Sequence, residues 1–464
     1  MSFLGAQNSI ALGVQGLIHI DTGVVGSADY LLAKSLRFRS SASAYLNRTP
    51  ATATNQKTWT WSGWVKRGTL GSAQTIFAEQ EAGGATYFDL TFASDNTIGF
   101  DGDFAGTRVS RKTASVFRDP SAWYHVVLVL DTTQATDTNR VLLYINGVNN
   151  PFSTPGFSTW PVQNTNGGVN ATQPHNIGRR PNAVPDNYCD LELAEVNFVD
   201  GQALAPTAFG ASSTYNQWLP IRYAGTYGTN GFYLPFTNVT STSTLVADSS
   251  GNANNWTPNN ISLTAGSTYD SLTDVPTLTS TTVANYAVLN PLTKTGSAVV
   301  VQDANLTFTK SSAAYYNYVS GTIGVSSGKF YWEITFGAAD LAVGITNSFY
   351  ADANNGPGFS SSAYVYLSFS GNKRNNNSSV AYGATFQALN DVVGVALDMD
   401  AGTLTFYKNG VSQGQAYSGL TGAYFPYLSD VGGNITLAYA NFGQRPFAYP
   451  TLPSGFLPLN TFNI

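Results

Sequence analysis

The sequence predicts an all-β protein, made of two antiparallel β-sandwiches (jelly rolls) in tandem behind a short N-terminal arm. Aromatic residues make up 13% of the chain and charged residues only 11%, against roughly 25% charged in an average soluble protein. Aromatic and β-branched strand formers alternate with small polar turn residues, and few helices are expected. At 464 residues the chain exceeds the size of one ordinary core, so we expect two or three domains.

The bulk composition argues against several classes of function. A net charge of −5 provides no basic field for phosphates, so no nucleic-acid partner is expected. No run of about 18 consecutive apolar residues occurs, so we expect no membrane insertion. The single cysteine, Cys189, cannot form an intrachain disulfide, which fits assembly in a reducing cytoplasm. The first residues lack the basic start and long apolar run of a secretory signal peptide.

Residues 1–28 are predicted to form an attachment or oligomerisation arm. They are rich in glycine and apolar residues and almost uncharged. Such a segment is too interrupted by glycine for a long helix and too apolar for a solvated linker.

Residues 29–236 are predicted to form the first sandwich, because short apolar strands recur there between turn residues. In TWTWSGWVK, the two-residue period places Trp59, Trp61, Gly63 and Val65 on one face, which should lie in the core. The segment AWYHVVLVLD is apolar on both faces and is therefore predicted to be a central strand.

Residues 237–284 are predicted to be a connector. Ser, Thr, Asn and Pro dominate this segment, which indicates successive turns rather than strands. Strands resume within residues 285–450, the predicted second sandwich, and residues 451–464 form a C-terminal tail.

One supersecondary element occurs in both predicted sandwiches. An apolar strand, a polar turn and a second apolar strand lead to an Asn-Gly pair, at Asn146–Gly147 and at Asn409–Gly410. Because Asn-Gly adopts positive φ at little cost, each pair predicts a tight hairpin.

These strands carry resemblances to known families. Through TWTWSGWVKRG, AWYHVVLVLD, LLYING and LELAEVNFVDGQAL, residues 35–236 resemble laminin G-like members of the concanavalin A-like superfamily. Through GKFYWEITF, VGIT, DVVGVALDMDAGTLTFYKNG and YFPYLSD, residues 290–447 are similar to a SPRY domain. Both are chiefly binding folds, so the resemblance implies a binding protein. The connecting DSSGNANNWTPNN, YDSLTDVP and ANYAVLNPL are similar to proteins of marine and cyanobacterial bacteriophages, which implies a virion component.

A glycan depolymerase is the enzymatic alternative, because glucanases with this fold carry paired carboxylates on a concave sheet face. The one candidate motif is DLELAE, in which Asp190 and Glu192 share a strand face about 6.7 Å apart and Glu195 points to the other face. The glucanase motif requires all three acids on one face. The simpler interpretation places Leu191 and Leu193 in the core with both acids solvated, and we predict a protein that is not an enzyme.

No motif requires a cofactor, but bound calcium (Ca²⁺) is possible. Laminin G-like domains often bind calcium, and FDGDFAG places Asp101 and Asp103 two residues apart. Calcium takes about six or more oxygen ligands and only two are visible, so ordinary turn chemistry is the competing explanation.

Two loops are the predicted ligand-binding sites, because sugar recognition uses aromatic faces together with amide and guanidinium groups. The candidates of the second sandwich lie in GNKRNNNSS and the strand before it: Tyr364, Tyr366, Lys373, Arg374, Asn375 and Asn376. Those of the first lie in IGRRPNAVPDNY: Arg179, Arg180, Asn182 and Tyr188. A solvated loop without a ligand is the alternative for both.

The sequence therefore predicts a bacteriophage virion protein, a tail fibre, head fibre or surface decoration, whose lectin-like domains bind a host-surface glycan or receptor. It would assemble in the host cytoplasm and lie on the virion surface, bound to other virion proteins through residues 1–28. Because single sites would be weak, multivalent binding by a homotrimer is expected. The alternatives are a purely structural capsid or tail decoration without a ligand and a tail-associated polysaccharide depolymerase.

Overall fold

The computed structural model describes residues 30–80, 87–157, 159–181, 186–296, 298–310, 317–349, 356–432 and 436–464. These residues fold into two antiparallel β-sandwiches, which confirms the predicted all-β class. The predicted arm, residues 1–28, lies outside the described residues. No helix in the described part of the chain is long and apolar enough to cross a membrane.

The first sandwich and the segment after it contain strands β1 Ser35–Phe38, β2 Tyr45–Arg48, β3 Thr58–Arg67, β4 Gln74–Gln80, β5 Tyr87–Phe92, β6 Thr97–Phe104, β7 Thr107–Val116, β8 Trp123–Asp131, β9 Val141–Ile145, β10 Val148–Asn149, β11 Phe152–Phe157, β12 His175–Ile177, β13 Leu191–Asp200, β14 Gly210–Ser212, β15 Trp218–Pro220, β16 Phe232–Leu234, β17 Thr257–Asn259 and β18 Ser271–Leu272. The front sheet has the order β11-β7-β6-β5-β4-β12-β2-β17. The back sheet has the order β10-β9-β8-β3-β13-β1-β18, with β16 beside β13, and β14 pairs with β15 separately.

The alternation in β3 places the first core as predicted. Trp59, Trp61 and Val65 are fully buried between the two sheets. Gly63 allows the Trp61 ring to lie against the backbone, because a Cβ there would be 2.7 Å from that ring. The strand β8, apolar on both faces, lies between β3 and β9, which confirms its central position.

The second sandwich contains strands β19 Val299–Gln302, β20 Thr307–Lys310, β21 Tyr318–Ser320, β22 Lys329–Ala338, β23 Leu341–Thr346, β24 Ala363–Leu367, β25 Asn372–Asn375, β26 Ser378–Ala381, β27 Val392–Asp398, β28 Thr403–Lys408, β29 Val411–Tyr417, β30 Phe425–Asp430, β31 Leu437–Asn441 and β32 Leu457–Pro458. One sheet has the order β19-β20-β31-β22-β27-β28-β29, with β32 beside β22. The facing sheet has the order β21-β30-β23-β24-β25-β26.

Both Asn-Gly pairs form the predicted hairpins. Asn146 and Gly147 have φ of 49° and 78°, and Asn409 and Gly410 have φ of 48° and 78°. Each asparagine side chain also accepts a hydrogen bond from a backbone N–H at 2.8 Å. The donor is His125 in the first hairpin and Val392 in the second. The two turns are therefore built in the same way.

The segment predicted as a connector, residues 237–284, packs onto the first sandwich. Its strands β17 and β18 extend the two sheets by pairing with β2 and β1. A one-turn helix, α1 Thr242–Leu245, begins with a capping box at Ser241. The segment thus contains short strands, although its sequence indicated turns alone. No strand signal is visible in the sequence because a short strand at a sheet edge needs little apolar alternation.

Buried charges fix the connecting segment against the first sandwich. The Lys66 ammonium is 2.6 Å from the Asp274 carboxylate and donates at 2.7 Å to the Asn285 amide oxygen. The fully buried Arg37 guanidinium is 3.0 Å from the Asp270 carboxylate. Because both acids lie in the segment between the sandwiches, these ion pairs fix that segment against β1 and β3.

Candidate functional site

Asp190 and Glu192, the two candidate acids of DLELAE, are buried near the joint between the two sandwiches. Asp190 is 1% exposed, and its carboxylate accepts hydrogen bonds from the Asp303 and Ala304 amides and the Thr69 hydroxyl. Glu192 is fully buried and accepts from the Ser35 hydroxyl at 3.3 Å. The expectation that Asp190 and Glu192 are solvated is therefore wrong. The open groove that the depolymerase alternative needs is not formed by this pair.

Burial also explains the electrostatics of these acids. It raises the pKa of Asp190 to about 6 and that of Glu192 well above its usual range. Glu195 has φ of +53° at a β-bulge of β13, and burial raises its pKa to about 7. Its carboxylate accepts from the hydroxyls of Tyr30 at 2.5 Å and Tyr233 at 2.9 Å. The three acids therefore have separate structural partners.

The candidate calcium ligands, Asp101 and Asp103, are occupied by protein donors. Asp101 accepts from the Tyr87 hydroxyl at 2.6 Å and from the Arg108 guanidinium at 3.0 Å. Asp103 accepts the Gly106 amide at 2.7 Å and closes the β6–β7 turn. Among the described residues there is no group of three or more His, Cys, Asp or Glu that could hold a metal ion. Turn and sheet chemistry account for both aspartates.

The predicted ligand loop of the second sandwich is a hairpin, β25–β26, rather than an irregular loop. Its two-residue turn consists of Asn376 and Asn377, both exposed and both with positive φ. Asn375 donates to the Ala363 carbonyl at 2.9 Å. The Asn375 amide is therefore used within the fold, and Asn376 is the one candidate of this loop in the exposed class.

The aromatic and basic candidates around this hairpin are engaged in packing. Tyr366 is fully buried and its hydroxyl donates to a backbone carbonyl, so the prediction that it contacts a ligand is wrong. Tyr364 packs edge-on against Tyr417 at 5.0 Å. Lys373 donates to the Ala416 carbonyl, and its ammonium lies 5.2 Å from the Tyr417 ring. Arg374 lies 5.0 Å from the Phe359 ring.

The predicted loop of the first sandwich lies beside the outer face of the front sheet. The Arg179 guanidinium stacks 3.5 Å from the Tyr45 ring and donates to the Tyr188 hydroxyl at 3.3 Å. The Arg180 Nε is 2.7 Å from the Asp89 carboxylate. The fourth candidate of this loop, Asn182, lies outside the described residues.

A line of polar side chains, interrupted only at Ala78, crosses that outer face. The line runs through neighbouring strands in register from β2 to β7 and is named here the polar row: Asn47, Asn176, Asp89, Asp101 and Ser110. Ala78 lies in register between the second and third members and leaves a small side chain at that point. At roughly 4.8 Å per strand, six strands span about 24 Å.

The polar row faces away from the first core. The strand neighbours of its members, among them Leu46, Ile177, Leu90 and Phe100, lie in the core between the sheets. Because successive side chains of a strand point to opposite faces, the row lies on the outer face. Its ends are flanked by the Tyr45–Arg179–Tyr188 stack and by Tyr87 with Arg108.

Two members of the polar row show an unusual combination of burial and polarity. Asn176 is 1% exposed, yet neither its amide oxygen nor its amide nitrogen has a hydrogen-bond partner among the described residues. Asp89 is also 1% exposed, and burial raises its pKa to about 7 although Arg180 opposes that shift. A buried amide without partners costs about 1–3 kcal/mol, so its presence in the fold calls for an explanation.

Comparisons with known proteins agree with the two sandwiches. Residues 40–208 match the model of the concanavalin A-like lectin/glucanases superfamily, and residues 329–440 match that of the SPRY domain. The chain contains one domain of each family. The polar row lies within the concanavalin A-like domain, and the β25–β26 hairpin lies within the SPRY domain.

Individual relatives are similar to the chain over limited stretches. The E3 ubiquitin-protein ligase RKP of Arabidopsis thaliana is 36% identical over 89 residues, which are 18% of this chain and 7% of that protein. The SPRY domain of human HERC1 is 21% identical, covering 33% of this chain and 96% of that one, with a TM-score of 0.30. Stonustoxin is 17% identical, covering 34% of this chain and 27% of that one, with a TM-score of 0.29.

The structure thus joins two separate predictions at one site. Arg180, predicted as part of a ligand loop, and Asp101, predicted as a metal ligand, flank Asp89 on the same sheet face. Asn47, Asn176 and Asp89 were not among the predicted residues. Alternation in YFDLTF places Asp89 on the face opposite Phe88 and Leu90, and this signal can be detected in the sequence. The cross-strand register that aligns the polar row cannot be detected there.

Proposed function

We propose that this chain is a glycan-binding protein of a bacteriophage virion surface, and that its concanavalin A-like domain binds host-surface glycans through the polar row. The observation that carries the proposal is the polar row itself, a line of amide and carboxylate groups on an outer sheet face with a buried, unpartnered amide at Asn176. A buried polar group without a partner destabilises the fold, so we infer that its presence here serves a function.

The chemistry of the polar row fits sugar hydroxyls. Each hydroxyl donates one hydrogen bond and accepts others, so it pairs with carboxylate oxygens, with both ends of an amide and with guanidinium groups. Asn47 and Asp101 are partly exposed and offer an amide and a carboxylate to a ligand, whereas Asn176 and Asp89 are 1% exposed. The partly exposed Tyr188 lies at one end, where a ring face can pack against sugar C–H groups.

The virion assignment is supported by the pairing of two binding domains and by the connector, which is similar to phage proteins. In this proposal residues 1–28 attach the chain to other virion proteins, and a homotrimer presents several weak sites at once. The low content of charged residues, 11%, fits a surface that presents hydroxyl and amide groups rather than ion pairs.

Glycan-array binding by the full chain tests the binding part of the proposal. Asn47→Ala and Asp101→Asn should each lower binding to any captured glycan at least several-fold, because a lost hydrogen bond is worth about 1 kcal/mol. Asn376→Gly, at the turn of the SPRY hairpin, is the matched control and should leave binding unchanged. Loss of binding in Asn376→Gly alone would place the site in the SPRY domain and refute the assignment to the polar row.

The virion part needs a separate measurement. Antibodies against the full chain should label purified particles of the phage that encodes it, at the tail or the capsid surface. If purified infectious particles carry none of the protein, the virion assignment is contradicted. The glycan-binding proposal then still depends on its own test.

A further inference from the structure

A cavity of about 500 Å³ opens between the two domains. One wall is the turn that leads into β8, Arg118 to Ser121, and the other consists of Asn290, Leu292 and Thr322 of the second sandwich. The volume lies in the range of small-molecule sites, about 300–1,000 Å³. Neither wall includes a member of the polar row, so this cavity is a separate feature.

Hydrogen bonds hold the segments that carry the two walls together. The Asn285 amide nitrogen donates at 2.8 Å to the Ser121 carbonyl, and its amide oxygen accepts from the buried Lys66 at 2.7 Å. Trp123, two residues after Ser121, donates its indole N–H at 3.0 Å to Asp274. The cavity is therefore pre-formed, and a ligand would not need to order its walls.

The free polar groups of the cavity are mainly donors. The exposed Arg118 guanidinium has no ion-pair or hydrogen-bond partner among the described residues. The Asn290 amide oxygen accepts the Leu292 amide at 3.0 Å, which leaves the amide nitrogen free to donate. The Thr322 oxygen accepts the Val288 amide at 3.1 Å, which leaves its O–H free to donate.

The acceptors of the cavity are largely used within the turn. One Asp119 oxygen accepts both the Ser121 amide at 2.8 Å and the Ser121 hydroxyl at 2.6 Å. Its second oxygen is the one free carboxylate acceptor among the described cavity residues. A site with three free donor groups, one of them a guanidinium, favours a ligand rich in acceptors and negatively charged.

From this arrangement we infer that the cavity binds a carboxylate-bearing sugar residue of the hexuronate class. Arg118 pairs with the carboxylate in the two-pronged geometry that a guanidinium favours, and Asn290 and Thr322 donate to ring hydroxyl oxygens. Leu292, 60% exposed, packs against the C–H groups of the ring. Asp119 accepts from one sugar hydroxyl.

Saturation-transfer NMR and calorimetry on the full chain test this inference, with glucuronate, glucose and inorganic phosphate as probes. Glucuronate should bind, and glucose should bind at least about tenfold more weakly, because a hydrogen bond to a charged group is worth about 1.5–3 kcal/mol. Arg118→Gln should weaken glucuronate binding by a similar factor without loss of folding, since its side chain is exposed and has no hydrogen bond or ion pair among the described residues. Lys57→Gln, which removes one positive charge outside the cavity, is the control and should have no effect.

Three results would overturn the inference: no binding of glucuronate, equal binding of glucuronate and glucose, or an unaffected Arg118→Gln variant. Phosphate binding as strong as glucuronate binding would also overturn the sugar assignment, because it would show a general oxyanion site. Asp101→Asn, in the polar row, should leave glucuronate binding at the cavity intact, so failure of one site is distinguishable from failure of the other.

Discussion

Arg180 places its Nε 2.7 Å from the carboxylate of Asp89, and this ion pair links a loop to the outer face of the front sheet. The two partners are unequal, since Asp89 is 1% exposed while the Arg180 side chain is 29% exposed. Because the cation is partly solvated, its attraction offsets only part of the free energy that the buried carboxylate loses on leaving water. Asp89 consequently has a raised pKa of about 7 and titrates near neutral pH.

The first prediction concerns the pH dependence of stability at Asp89. Its folded pKa of about 7 lies above the ordinary value of 3.8, so between these values the folded state binds more protons than the unfolded state. The favourable contribution is complete below pH 3.8 and is lost as the pH rises through about 7. The free energy of unfolding should fall across this window, by at most about 4 kcal/mol from this residue.

Urea unfolding of the natural chain and of Asp89→Asn across that window measures this effect. The variant cannot ionise at this position, so its stability should fall less steeply with pH. Parallel curves for the two proteins would show that Asp89 does not titrate as described.

The second prediction concerns the unpartnered amide of Asn176. Asn176→Leu should leave the free energy of unfolding unchanged or raise it by about 1–3 kcal/mol, because it removes a buried polar group that makes no hydrogen bond. The same substitution should lower glycan binding at the polar row several-fold, as expected for Asn47→Ala. Urea unfolding and the glycan array measure the two effects.

Asn197 is the matched control for Asn176. It is also 1% exposed, but it donates to the Glu195 carbonyl at 3.1 Å and accepts from the Tyr227 hydroxyl at 2.7 Å. Asn197→Leu should therefore destabilise the protein by about 1–3 kcal/mol. If Asn176→Leu is destabilising to the same extent, the Asn176 amide has a structural partner and the argument for a binding role fails.

The fold could be predicted from the sequence because its signals are local. Alternation placed Trp59 and Trp61 in the first core, and Asn-Gly chemistry predicted both hairpins without any knowledge of tertiary contacts. The acids of DLELAE show the limit of this approach. Asp190 and Glu192 follow the alternation of a solvated strand face. Asp190 is covered by the second sandwich and Glu192 lies beside Ser35, and no local pattern reveals which face distant segments will cover.

The candidate site was predictable only in part for a related reason. Arg179, Arg180 and Tyr188 are close in sequence and were found together. Asn47 and Asp89 come from strands distant in the chain, and their alignment in the polar row depends on the register of β2, β12, β4 and β5. Register is set by pairing across the whole sheet rather than by any single segment.

The third prediction concerns Lys66 at the joint. Lys66→Met should lower the free energy of unfolding by about 3–5 kcal/mol, because it leaves the buried Asp274 carboxylate without its cation. Adding Asp274→Asn should recover a large part of that loss, since it removes the stranded charge. Urea unfolding of the single and double variants measures the coupling between the two side chains.

Lys112 provides the exposed comparison for Lys66. Its ammonium is 3.2 Å from Asp95, and both side chains are well exposed. Lys112→Met should change the free energy of unfolding by less than about 0.5 kcal/mol. Equal losses in the two lysine variants, or no recovery in the double variant, would show that burial of the Lys66 pair does not stabilise the joint.

The last prediction separates backbone strain from steric fit at the first hairpin. Gly147 and Gly106 have similar positive φ values, 78° and 84°, so replacement by alanine strains both backbones by about 1 kcal/mol. A Cβ at Gly147 would also collide with the Trp218 ring, whereas a Cβ at Gly106 would meet nothing within 4 Å. Gly147→Ala should therefore cost about 1–3 kcal/mol more than Gly106→Ala in urea unfolding.

Trp218 also donates to His125 at 3.0 Å, so its displacement should appear as a change in tryptophan fluorescence of the folded protein. Equal costs with unchanged fluorescence would mean that the ring moves aside freely and that φ alone selects glycine at this turn.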